Sequence, residues 1–205
     1  MNKKFGQLAS DESVQKTAKA LEANNLKTII VKNGKEAKEK VLKFIPEDSE
    51  VMTMTSVTLD TIGLSEQINK ADGKFKPVRD KLYAMDRNTQ SREMAKMGSA
   101  PDWVVSSVHA VTEDGRLLIA SNTGSQLSAE AYGGGKVIFV VGTQKIVKDT
   151  TEGLKRIYEY TLPLEDERAQ KAYGMRSNVS KILIINKEVV PERIIIILVK
   201  EKLGF

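Results

Sequence analysis

Two uninterrupted apolar runs constrain this chain most: VIFVV at 137–141 and IIIILV at 194–199. A strand with one wet face alternates apolar and polar residues. A continuous run has no wet face, so it belongs inside a sheet covered on both sides. Both runs are too short for a helix core and are rich in β-branched residues, which favour strand. The chain has 205 residues, 40% of them hydrophobic and 29% charged. That is enough apolar material for one good core and marginal for two, so a single domain over 1–205 is expected.

The remaining elements alternate. DESVQKTAKALEANN at 11–25 reads as a helix, with Val14, Ala18 and Leu21 on one face and Ser10 or Asp11 as cap. KTIIVK follows as a strand, GKEAKEKVLKFIP as a helix stopped by Pro46, and EVMTMTS as a second strand. Helix–strand–helix–strand order predicts a parallel pair with a crossover helix. Residues 57–70 and 75–97 read as helical, the latter broken near Asp86–Asn88. DWVVSSVHAVTEDGRLLIAS has two extended runs flanking TEDG and reads as a hairpin. DTTEGLKRIYEY and TLPLEDERAQKAYG read as two helices, the first capped by Asp149 with Glu152 in a capping-box position. KILIIN and RIIIILV are joined by a connection too short for a parallel crossover, which predicts antiparallel neighbours. The expected fold is α/β: a mixed, mostly parallel sheet of about six or seven strands with helices on both faces.

Several function classes lose support from composition. The chain has no cysteine, which removes disulfides, a thiol nucleophile and cysteine-ligated clusters. There is one histidine, His109, and no metal-ligand spacing around it, so no metal site is expected. No apolar stretch reaches membrane-spanning length, and the N-terminal segment has no apolar core flanked like a signal peptide. A cytoplasmic location without membrane contact is the expectation. The net charge of +5 comes from interleaved lysines and acids, and aromatics are only 5%, so a solvated surface is expected rather than a nucleic-acid footprint. Homo-oligomerisation is expected on base rates only.

The phosphate motifs GxxxxGKS/T and GxGxxG are absent, and so is the GxSxG elbow of serine hydrolases. Three softer segments follow strands. Thr55–Thr58 leads into a helix, where Ser56 and Thr58 read either as a plain N-cap or as an anion site. Ser121, Asn122, Gly124, Ser125 and Gln126 form a polar loop, which reads as a simple connection or as a ligand loop. Thr143 and Lys145 follow VIFVV. Ligands of open α/β sheets bind beyond the carboxyl ends of strands, so these segments could share one pocket with His109 at its edge. The plain alternative for His109 is a structural histidine sharing a strand face with Val105, Ser107 and Val111. Arg156, Glu165 and Arg168 read as solvated helix residues. Glu130 is either an exposed helix residue or, if buried, a carboxyl with a raised pKa.

The ordered segments SVTLDTIGL, DWVVSSVHAVTEDGRLLIASNTGSQL, VIFVVGTQKIV, RIYEYTLPLEDER and RIIIILVKEKLGF resemble the LUD (lactate-utilisation) domain family in its short stand-alone branch. The resemblance covers nearly the whole chain from about residue 10. It implies a fold like the NagB/RpiA/CoA-transferase group. It also implies a link to lactate or organic-acid utilisation, with a small anionic metabolite or phosphate-bearing cofactor as ligand and iron–sulfur subunits as partners. Related chains carry an acidic AETGT-like segment where this one has Ala120–Ser125, so Ser121 stands where glutamate is common. A non-catalytic subunit of an oxidoreductase complex and a CoA-transferase- or sugar-phosphate-isomerase-like enzyme are the alternatives. The cofactor and the catalytic residue stay open.

Overall fold

A computed structural model describes residues 2–205. Helix α1 (Asp11–Ala23) starts where Ser10 Oγ accepts from the Ser13 N–H at 3.2 Å, with Asp11 and Glu12 in the positively polarised first turn. Strand β1 (Lys27–Val31) leads to α2 (Gly34–Phe44), capped by Asn33 on the Glu36 N–H at 3.0 Å, and then to β2 (Glu50–Thr53). The segment 57–70 is helical but parts at Ile62–Gly63 into α3 (Val57–Thr61) and α4 (Leu64–Ile68). A two-residue strand β3 (Lys76–Pro77) precedes α5 (Val78–Ala84) and α6 (Ser91–Ser99). Between these helices Asp86 accepts from the Asn88 N–H and the Thr89 hydroxyl, and the turn so formed is the expected break.

The later strands are β4 (Trp103–Ser106), β5 (Ala110–Thr112), β6 (Leu117–Ser121), β7 (Lys136–Gly142), β8 (Ile146–Val147), β9 (Lys181–Ile185) and β10 (Ile194–Val199). Six strands pair in the order β1-β10-β7-β4-β2-β3, every pair parallel. The other four form a second sheet, β8-β5-β6-β9, with β5–β6 and β6–β9 antiparallel. The antiparallel content expected within one mixed sheet therefore lies in a sheet of its own.

The apolar runs do what their continuity requires. Val137, Phe139 and Val141 of β7, with Ile194, Ile196 and Leu198 of β10, face one core beside Val111, Leu117 and Ile119 of the second sheet and Val14 and Leu21 of α1. The alternate residues Ile138, Val140, Ile195, Ile197 and Val199 face Ala37 and Val41 of α2, Leu59 of α3 and Leu64 and Ile68 of α4. Each of the Val, Leu, Ile and Phe side chains among these contributes about 1.5–3 kcal/mol by its burial. The second sheet's outer face (Ala110, Leu118, Ala120) packs on Ile157, Tyr160 and Phe5. Helices thus cover one face of the parallel sheet, and the second sheet with α1 covers the other.

Four local expectations change. β1 and β2 are parallel members of one sheet, but β10, β7 and β4 lie between them. The run 102–112 is not one arm of a hairpin: β4 pairs in the parallel sheet and only β5 pairs with β6, so the chain changes sheets across Ser107–His109. His109 therefore shares no single strand face with Val105. β9 and β10 are not neighbours either, because their connection passes between sheets and no crossover is needed. That connection is pinned by a buried ion pair, Arg193 Nε to Glu188 Oε2 at 2.7 Å. Finally, α7 (Thr150–Arg156) and α8 (Leu162–Tyr173) are not separated, since a π-helical stretch, Ile157–Thr161, joins them.

Candidate functional site

β2, β4, β7 and β10 all deliver their chains to the carboxyl edge of the parallel sheet. After β7, one 3-10 turn (Thr143–Lys145) folds Lys145 inward, where it is 2% exposed. Its Nζ donates to Thr58 Oγ1 at 2.9 Å and to Ser107 Oγ at 3.0 Å. Both hydroxyl protons are committed elsewhere: Ser107 donates to the Val140 carbonyl at 2.7 Å and Thr58 to the Leu203 carbonyl at 3.1 Å. The hydroxyl oxygens can therefore only accept from the lysine. Burial first, and the nearby Arg156 charge second, hold the Lys145 amine well below its ordinary value.

His109 sits in the sheet-to-sheet link. The Ala120 N–H donates to its Nδ1 at 3.1 Å, which fixes the neutral ring with its proton on Nε2. Its surface is only half-buried, but protein surrounds the ring densely. Burial, then the Lys145 and Arg156 charges, push its pKa down to about 3. The ring is a neutral donor at any ordinary pH.

Arg156 was expected in solvent and is fully buried. Its guanidinium donates to the His109 carbonyl, to Thr161 Oγ1 at 3.0 Å and to the Phe5 carbonyl at 3.3 Å, and lies 5.2 Å from the Tyr160 ring centre. Its Nε has no partner among the described residues. Burial lowers it to about 10, still charged at neutral pH. The signal was present in the sequence: Gly153, Arg156, Ile157 and Tyr160 recur at helical spacing on the apolar face. Glu165 and Arg168 pair with each other at 2.7 Å on a half-exposed face, as their sequence reading expects. A further cation, Arg79, bonds the Thr53 carbonyl at 2.8 Å and Thr55 Oγ1 at 2.6 Å at the end of β2. Among the described residues no acidic side chain pairs with Lys145, Arg156 or Arg79.

Of the expected site residues, Thr58, His109 and Lys145 come together here, joined by the unforeseen Ser107 and Arg156. Thr143 is buried in the same turn. Ser56 stands half-buried at the start of α3 without a side-chain cap bond. The loop Ser121–Gln126 does not join them. Ser121 Oγ donates to Gln126 Oε1 at 2.9 Å and accepts from the Gly124 N–H at 2.8 Å. Asn122 accepts from Ser180, and Ser125 pairs with Thr123. Gly124 serves a turn with φ 86°, and a Cβ there would lie 2.6 Å from the Lys181 side chain. The loop's polar groups bond one another and Ser180, while the preceding strand residue Ala120 donates its N–H to His109. It lies apart because β6 ends in the other sheet.

A cover crosses the site. Gln144 Nε2 donates to the Leu203 carbonyl at 2.8 Å, Leu203 is buried, and Gly204 (φ 61°) approaches so closely that a Cβ would lie 2.6 Å from Thr58 Oγ1. Two surface depressions, of about 210 and 190 Å³, lie elsewhere, by Glu22, Asn25, Lys27 and Glu192 and by Leu42, Gln67, Lys74 and Phe75.

Behind β4 lies a second buried group. Glu130 is wholly inaccessible, in a π-helical turn (Ala129–Gly133). Ser106 Oγ donates to its Oε1 at 2.7 Å, and its Oε2 has no partner. Burial pushes its pKa up to about 8 against the opposing Ser106 bond, so the carboxyl is protonated at neutral pH. Ser106 and Ser107 are consecutive, yet one bonds Glu130 and the other Lys145.

Fold and site together define a parallel-sheet α/β protein with a lysine amine and an arginine without acidic partners among the described residues buried at its carboxyl edge. The LUD domain model matches residues 14–199, and the chain belongs to the LUD domain family, which is associated with lactate utilisation. Its fold resembles the crystal structure of a DUF162 family protein from Deinococcus radiodurans, with a TM-score of 0.58 at 13% identity, covering 94% of this chain and 99% of that one. No curated protein matches the sequence.

Proposed function

We propose that this LUD protein binds a small organic acid of the hydroxy- or oxo-acid type at the carboxyl edge, between Lys145, His109 and Arg156. One observation carries the reading: the Arg156 guanidinium is buried and charged, lies near enough to Lys145 to depress its amine, and among the described residues has no acid to neutralise it. Burying a charge is costly unless it is paired, so such a site favours an incoming anion. The neutral His109 Nε2–H suits the oxygen beside the carboxylate of such an acid. With no cysteine, this chain holds no cysteine-ligated cluster, so any oxidation of the acid would rely on a partner subunit.

The test is a melting titration with lactate, pyruvate and inorganic phosphate. A ligand at a hundred times its dissociation constant stabilises the native state by about 2.7 kcal/mol, a clear rise in midpoint. Lys145→Met is expected to abolish the rise while keeping the fold, because the apolar side chain relieves a buried amine. Melting unmoved by lactate and by pyruvate at high concentration refutes the reading, whether or not phosphate moves it.

A further inference from the structure

Lys145 is bonded in a way that leaves one position of its amine free. Two N–H bonds go to Thr58 and Ser107, whose own protons point to the Leu203 and Val140 carbonyls. A neutral amine has two N–H bonds and one lone pair, so the count closes with the lone pair unengaged. An ammonium would instead carry a third N–H with no partner at a fully buried site. Most buried lysines are neutralised by a carboxylate, and this one faces only hydroxyls and, further off, Arg156.

From this arrangement we propose that Lys145 is a covalent nucleophile that forms an imine with the keto carbon of a 2-oxo acid. The inference rests on the organic-acid reading above and specifies the substrate class of the same site. The Nζ lone pair attacks the keto carbon, a C–N bond forms, and the carbonyl π pair moves to oxygen. One amine proton passes to that oxygen, giving a carbinolamine. Loss of the second amine proton with the hydroxyl group releases one water and leaves C=N. Nothing is oxidised or reduced. Arg156 supplies positive charge for the acid's carboxylate, and its lack of a carboxylate partner keeps Lys145 from being held as an ammonium. The segment Glu201–Phe205, held over the amine by Gln144 and Thr58, is the cover that a substrate displaces.

The experiment is reductive trapping on the unaltered chain. The protein is incubated with pyruvate and borohydride, digested, and its lysine peptides are weighed. The expected result is a reduced pyruvyl adduct on Lys145, heavier labelling there than on any surface lysine, and loss of that label when lactate, which has no keto carbon, is added as competitor. Pyruvate that raises the melting midpoint but leaves Lys145 unmodified overturns the imine and spares the anion site. Labelling spread evenly over surface lysines overturns it as well. If neither acid moves the midpoint and Lys145 stays unlabelled, the anion site and the imine both fall.

Discussion

Replacing Glu130 by glutamine tests the electrostatics of this fold without changing its shape. Glutamine has the same length, keeps the oxygen that accepts from Ser106, and carries no ionisable proton. The carboxyl titrates near 4.5 in an unfolded chain and near 8 in the native one. Between those values the native state holds a proton that the unfolded state has released, so stability falls as pH rises. The contribution is fully present below about pH 4.5 and lost by about pH 8. At 1.36 kcal/mol per pH unit that interval amounts to roughly 5 kcal/mol, an upper bound because water entry on ionisation would reduce it. The parent chain alone would hide this. His109, pushed from 6.5 to about 3, works in the opposite sense: its contribution is present above 6.5 and lost as pH falls toward 3. The lowered Lys145 amine also favours higher pH. The difference between Glu130→Gln and the parent cancels both. It should be near zero at about pH 5 and grow in favour of the variant by several kcal/mol at about pH 8. The assay is urea unfolding followed by the fluorescence of Trp103, the only tryptophan, which begins β4. Parallel curves for the two proteins across this range would refute the argument that Glu130 is buried neutral.

Two further substitutions probe the supports of the site. Arg193→Met leaves Glu188 charged and buried and removes the donors to the Glu130, Ala131 and Gly134 carbonyls, so a loss of about 3–5 kcal/mol in urea unfolding is expected; adding Glu188→Leu should recover part of it. Ser107→Ala removes the donor to the Val140 carbonyl and one acceptor of Lys145, with an expected cost of about 1–3 kcal/mol by the same measurement.

Local pattern made much of the fold readable. The unbroken runs at 137–141 and 194–199 are central strands buried on both faces, and Ser10, Asn33 and Asp149 cap the helices that their positions suggest. What stayed unread depends on partners distant in sequence. Nothing between Asp102 and Thr112 announces that pairing passes from β7 to β6 at Ser107–His109, because both halves are equally extended. The link from β9 to β10 is short for a crossover, and only a second sheet makes that length compatible with strands that do not pair. Three polar segments were expected to converge because each follows a strand. The rule holds for Thr58 and Lys145, whose loops leave one parallel sheet, and fails for Ser121–Gln126, whose strand belongs to the other.

The buried ionisable groups of this chain fall into two kinds. Where a charge only holds the fold, it is paired: Arg193 meets Glu188 at 2.7 Å and spends its other donors on three carbonyls. That arrangement shows that the chain can bury an arginine with its compensation. At the carboxyl edge the compensation is missing. Among the described residues Arg156 keeps an unpartnered Nε, Lys145 finds only hydroxyls, and the buried carboxyl of Glu130 bonds Ser106 and is neutral. A leucine or methionine at position 145 would fill the same space without desolvating an amine, so packing does not account for the lysine there. A neutral Glu130 also cannot quench the positive field it lies behind. The sheet edge therefore keeps the Arg156 charge uncompensated beneath a short cover, and the proposed binding of a carboxylate rests on that imbalance.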